Sequence, residues 1–217
     1  AWPLECGGLV IDGAYIAFPN KSNDPMNSFR LPDDAWPIDG GTVQAVLHSH
    51  CGPRWGIEPS AADMESQIAT AVPWGIVLAN KDHCTDPLWF GNHVLDQPLL
   101  GRKFVHGVTD CFSIIRAYYW QENKIKLPEF PRDVEWWKAG GNLYTQGFGQ
   151  AGFHQIDPAL AAPGDVVLIK IRSDVPNHGG VLLPGGLMLH HLQNRLSCRT
   201  PLGSWRKLVT HWLRYEG

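Results

Sequence analysis

The charge of this 217-residue chain changes sign once along its length. Residues 1–97 hold four Lys and Arg against twelve Asp and Glu, whereas residues 98–217 hold fourteen against nine. A single crossover of this kind is a composition boundary. It predicts two domains of about 100 residues each, 1–97 and 98–217, joined near Asp96-Gln97-Pro98-Leu99-Leu100-Gly101. Hydrophobic residues make up 44% of the chain, enough to give each half a core of its own. No apolar run approaches the roughly 20 residues that cross a bilayer, so no membrane span is expected. The start is not Lys/Arg-led like a signal peptide, and beginning at Ala1 suits a fragment or a processed product. The formal net charge of −3 removes nucleic acid as a default partner. Five widely spaced cysteines with no C-x-x-C pair fit neither a disulfide framework nor a four-Cys zinc module, so reduced thiols are expected.

In the acidic half, Thr42–His50 reads TVQAVLHSH and suits a strand. Side chains alternate along a strand, so His48 and His50 point the same way and can share one partner. Cys51-Gly52-Pro53 breaks the strand into a loop running to Pro59, and Cys51 is a further candidate ligand. A helix follows with Ser60 as its N-cap, and Trp74–Asn80 and Leu88–Leu95 read as further strands. His48, His50 and Asp63 make a three-ligand set that leaves zinc a fourth position for water, the catalytic arrangement. Glu5, just before an apolar stretch that suits an adjacent strand, is the candidate base, and Ser60 could hydrogen-bond a developing oxyanion. The same Ser60-Ala61-Ala62-Asp63 stretch is also a capping-box pattern. His83-Cys84, with Asp82 and Asp86 nearby, is a weaker second metal candidate.

Glu, then H-S-H, then S-x-x-D in this order resembles the motif of the JAMM metallopeptidases, a mixed sheet flanked by helices. The resemblance implies His48, His50 and Asp63 as zinc ligands, Glu5 as general acid/base and Ser60 as transition-state support, with Zn2+ as cofactor.

In the basic half, Thr109 or Asp110 can cap a helix over FSIIRAYYWQEN, with Ile114, Ile115, Tyr118 and Tyr119 on one apolar face. That places Cys111 in the first turn, where the helix dipole favours a thiolate. Asp110 opposes a second negative charge, so a base is needed. Val166–Ile171 reads as a strand, and a hairpin from His178 turns at Pro184-Gly185-Gly186 into Leu187–Leu192, carrying His178, His190 and His191. His178 can deprotonate Cys111 with a third polar residue orienting its ring. A three-residue loop puts His190 on the face of His178; a two-residue turn puts His191 there, and parity alone leaves both open.

D-C opening a helix, H-G-G-V at a strand start and His twelve residues later resemble the NlpC-type cell-wall peptidases, small papain-like α+β domains. The resemblance maps their catalytic set onto Cys111, His178 and His190. The fold class expected is therefore α+β in two domains, a JAMM-like mixed sheet followed by a papain-like NlpC-type domain. The order of the two halves, with G-R-K-F-V-H-G-V-T-D-C, D-V-E-W-W-K, P-N-H and L-H-H-L, resembles the lambda-type tail-tip assembly proteins of long-tailed phages. That implies a virion component of the tail tip, made in the host cytoplasm and acting at the bacterial wall, with peptidoglycan and other tail-tip proteins as partners. The activity implied is a Cys-dependent stem-peptide hydrolase with a zinc peptidase domain beside it. A second reading keeps both folds as docking modules for assembly with one or both sites idle. A third is a deubiquitinase-like isopeptidase led by the zinc half. The basic residues Arg195, Arg199, Arg206, Lys207 and Arg214 suit an anionic wall polymer, and Trp120, Trp136, Trp137, Trp205 and Trp212 could stack on sugars.

Overall fold

A computed structural model of the chain describes residues 2–37, 41–51 and 56–217. The chain divides into two compact units, Ala1–His93 and Val94–Gly217, and it mixes helices with sheets in an α+β manner. None of the described helices is long and apolar enough to cross a membrane.

In the first unit, strands β1 (Gly7–Ile11), β2 (Ala14–Phe18), β3 (Val43–Cys51), β4 (Trp74–Ala79) and β5 (Leu88–Phe90) form one sheet in the order β2-β1-β3-β4-β5. β3 pairs antiparallel with β1 and parallel with β4, so the sheet is mixed. The parallel pair requires a crossover, supplied by helix α1 (Ala61–Thr70). Ser60 caps α1 in a capping box with Asp63, which fixes where the helix begins. Leu9, Val46, Met64, Ile76 and Phe90 are buried and hold the layers together. The last strand is shorter than the expected Leu88–Leu95. It stops at Phe90 because Gly91 takes a φ of 123°, and Val94 and Leu95 are buried in a 3-10 turn instead. The loop expected from Gly52 to Pro59 lies partly outside the described residues.

The second unit has helices α2 (Cys111–Asn123) and α3 (Leu143–Gly147) and a six-stranded sheet. Its strands are β6 (Phe153–Gln155), β7 (Val166–Ile169), β8 (His178–Leu183), β9 (Leu187–His190), β10 (Cys198–Pro201) and β11 (Val209–Tyr215), in the order β10-β9-β8-β7-β11-β6. Alternation along β7 feeds two cores. Val166 and Leu168 pack with Ile114, Ile115 and Tyr119 of α2, while Val167 and Ile169 pack with Leu182, Met188 and Trp212. The β8–β9 connection is Pro184–Gly186, with Leu183 opposite Leu187 and Gly180 opposite His190. That is the three-residue register, which places His178 and His190 on one face. Gly185 and Gly186 make this turn at φ of 74° and 71°, a region most side chains avoid.

Candidate active site and metal centre

In the second unit, α2 begins under the control of Asp110. Its Oδ1 accepts from the Phe112 and Ser113 N–H groups at 3.0 and 2.9 Å, and its Oδ2 accepts from Gly107 N–H at 2.9 Å. Arg132 grips the same carboxylate in a bidentate pair, Nε to Oδ2 at 2.8 Å and Nη2 to Oδ1 at 3.0 Å, both side chains being buried. Burial works against ionisation of Asp110, but Arg132 prevails and holds it well below the usual carboxylate range. Glu129 completes the cluster by accepting from Arg132 at 2.7 Å and pairing with Arg116. Even paired with Arg132, the Asp110 charge still opposes a thiolate at Cys111, as the sequence leads one to expect.

Cys111 is the first residue of α2, and its Sγ lies 3.1 Å from the Tyr144 hydroxyl of α3. Burial, then Asp110, pushes the thiol up to about 11, against the pull of the Tyr144 hydroxyl, Arg132 and the Gly179 backbone. Tyr144 itself is raised well above its ordinary value by burial and by Cys111, so it stays a phenol and can donate to sulfur. Asp110 occupies the Phe112 and Ser113 N–H groups, so of the first-turn donors only the Cys111 N–H is left by this cap; Tyr144 is a further donor that sequence spacing does not reveal.

His178 Nε2 lies 3.0 Å from His190 Nδ1, and His190 Nε2 lies 3.0 Å from Thr200 Oγ1. Trp205 packs against both rings. Burial, then the neighbouring histidines, lowers His178 to about 3, and burial, then His191, lowers His190 to about 4. His191 bonds elsewhere, to the Arg195 carbonyl at 3.1 Å with Phe104 against its ring, although it lines the same cavity as His178. Cys111 and His178 line one cavity of about 540 Å³, together with Phe112, Tyr144, Trp136 and Arg195. No hydrogen bond links the thiol to His178 among the described residues; such contacts are commonly loose before substrate binds.

These low histidine values make a prediction. Both rings hold fewer protons folded than unfolded, so as pH falls below about 6.5 the unfolded chain gains protons first and the folded state loses stability. The loss is expected at about 1.4 kcal/mol per pH unit for each histidine, levelling near the folded values. Urea unfolding between pH 7 and 4 checks this. His178→Gln with His190→Gln should flatten that dependence, and an unchanged slope would contradict the assignment.

In the first unit, His48, His50 and Asp63 offer ligand atoms that all lie within 4.8 Å of one another. The pairing Gly7↔His48, run back two residues, sets Glu5 opposite His50 on the same face. Asp63 Oδ2 accepts from Ser60 N and Ser60 Oγ at 2.8 and 2.6 Å, so the capping reading and the ligand reading coexist. Oδ1 is left 3.2 Å from His48 Nε2, yet that buried nitrogen has no hydrogen-bond partner because the two are misaligned. His50 Nδ1 lies 2.9 Å from the Gly56 carbonyl, and donation there turns the Nε2 lone pair toward Asp63 Oδ2 at 3.3 Å. Burial opposes ionisation of Asp63, but the two histidines and Ser60 hold it far below the carboxylate range. Two imidazole nitrogens and a carboxylate that converge on one point are a donor set that fits zinc.

Glu5 Oε1 is buried without a partner, and burial, tempered by His50 and reinforced by Asp63, raises Glu5 to about 7. Cys51, a candidate ligand by sequence, faces elsewhere: its Sγ contacts Ser49 Oγ and the Leu4 carbonyl, because it alternates with His50. The His83-Cys84 stretch gathers no ligand set among the described residues.

A family model, the NlpC/P60 family, matches residues 101–214. The tail tip assembly protein K of Escherichia phage N15 is 34% identical over 99% of this chain and 89% of its own length. That of Escherichia phage lambda is 35% identical over 73% of this chain and 74% of its own. A solved NLP/P60-family lipoprotein-like structure from Staphylococcus aureus subsp. aureus Mu50 covers 61% of this chain and 45% of that one, at 16% identity and a TM-score of 0.41, a likeness too loose to argue from. The chain belongs to the family of phage tail tip assembly proteins K, with an NlpC/P60 domain over residues 101–214.

Proposed function

We propose that the second unit hydrolyses peptidoglycan stem peptides through Cys111, His178 and His190, and that the protein serves in the virion tail tip, in tail assembly and wall penetration. The observation that carries this is a thiol at a helix start sharing one cavity with His178, a buried histidine whose ring is held by His190 behind it. The Cys111 sulfur attacks the scissile carbonyl as its proton passes to His178, leaving a tetrahedral oxyanion held by the Tyr144 hydroxyl and the Cys111 N–H. His178 then protonates the leaving amine; water, deprotonated by His178, hydrolyses the thioester and restores the thiol. A thiol near 11 beside an imidazole near 3 rests neutral, so proton transfer accompanies attack rather than preceding it. The test is clearing of purified cell wall by the wild-type protein and its Cys111→Ala variant.

For the first unit we propose a JAMM-like zinc site held by His48, His50 and Asp63. The orphaned His48 Nε2 supports it. When bound, zinc supplies Lewis acidity toward a carbonyl oxygen. Glu5, buried beside the ligands, holds and moves a proton at its carboxylate, and Ser60 orients Asp63 through its hydroxyl, whose proton would have to leave Asp63 to support a transition state. We expect about one zinc per chain by metal analysis, since three side-chain ligands and a water complete a tetrahedral site. His48→Ala with His50→Ala should lose it, and unchanged metal content in that double variant would reject the site. Idle sites in a purely structural assembly protein would show as zinc content near zero together with no wall clearing.

A further inference from the structure

We propose that Thr200 is a positioning residue that sets which ring nitrogen of His190, and through it of His178, carries the proton. The proposal deepens the hydrolase reading of Cys111 and rests on it. Thr200 lies on β10, where Cys198 pairs with His190, so Thr200 is the diagonal neighbour of His190 on the same face. Its Oγ1 stands 3.0 Å from His190 Nε2, and Cys198 Sγ stands 3.9 Å from the same nitrogen. His190 is wholly buried and His178 nearly so, and Trp205 covers both rings.

Each ring is kept neutral by burial, so each carries one proton, and the 3.0 Å contact between His178 Nε2 and His190 Nδ1 needs one proton between them. Two arrangements satisfy the row. In the first, His190 Nε2–H donates to Thr200, His190 Nδ1 accepts from His178 Nε2–H, and His178 Nδ1 keeps a lone pair. In the second, Thr200 donates to His190 Nε2, His190 Nδ1–H donates to His178, and His178 Nδ1 carries the proton. Only the first can take the thiol proton, because Nδ1 is the nitrogen of His178 not engaged by His190. With Thr200 as the acceptor, His190 Nε2 keeps its proton and His178, one ring further on, is held in the competent form. Wrong-tautomer catalysis is severely impaired in comparable relays.

The test reads tautomers and thiol chemistry, not wall hydrolysis. In the wild-type protein at neutral pH, ¹⁵N NMR of the histidine rings should show His190 and His178 both protonated on Nε2. Thr200→Val should mix the tautomers and slow alkylation of Cys111 by iodoacetamide about tenfold. Thr200→Ser, which keeps the hydroxyl, should restore the rate. His190 protonated on Nδ1 in the wild type would overturn the proposal, as would an alkylation rate unmoved by Thr200→Val. If tautomers and alkylation behave as expected while no wall is hydrolysed, the relay stands and the hydrolase reading falls.

Discussion

Cys111→Ala is expected to lower hydrolysis of purified peptidoglycan by about four orders of magnitude while leaving the fold intact. The nucleophilic role falls to Cys111 because no other cysteine lines the cavity among the described residues. Cys198, whose sulfur lies 3.9 Å from His190 Nε2, contacts that ring on the nitrogen turned away from His178. Removing one sulfur from a half-buried position at a helix start costs little packing, so loss of activity should come without loss of melting temperature. His178→Ala should give a fall of similar size, since members of one catalytic unit are not additive. Metal chelators should spare clearing of the wall, because none of the groups proposed for zinc belongs to the second unit. Clearing that survives Cys111→Ala, or that chelators abolish, would reject the thiol mechanism.

Arg132→Met is expected to destabilise the second unit by about 3–5 kcal/mol. The substitution leaves the Asp110 carboxylate buried with backbone donors but no countercharge, and it strands Glu129 beside Arg116 alone. Domains of this size are stable by only about 5–15 kcal/mol, so the variant should be substantially unfolded near its former melting temperature. Asp110→Asn should cost less than Arg132→Met, because an amide oxygen still caps the Phe112 and Ser113 N–H groups. Pairing both substitutions should cost less than their sum, as expected for partners in one network. Urea midpoints for the three variants at constant m-value check this; a loss under about 1 kcal/mol for Arg132→Met would show the pair to be dispensable.

The elements around both sites were legible because each rests on local chemistry. The i, i+2 spacing of His48 and His50 fixes their common face, Ser60 with Asp63 reads as a capping box, and Asp110 reads as the cap that puts Cys111 in the first turn. The hairpin stopped at a two-way choice, because strand parity needs the turn length and only the structure gives Leu183 opposite Leu187. Tyr144, Arg132 and Thr200 were not legible at all. Their roles arise from tertiary approach of α3, the 129–132 segment and β10, and none carries a spacing signal relative to Cys111 or His178. The overlong fifth strand failed for a local reason: Val94 and Leu95 look strand-like, but Gly91 redirects the backbone before them.

The claim on which the rest depends is that Cys111 sulfur bonds covalently to the acyl half of a cut stem peptide. Intact-mass spectrometry of protein quenched in acid during turnover on purified muropeptides tests it most directly. The account predicts a mass increase equal to the acyl fragment, mapped to Cys111 and absent from Cys111→Ala. Turnover with no adduct on Cys111, or with an adduct that persists in the alanine variant, would contradict it.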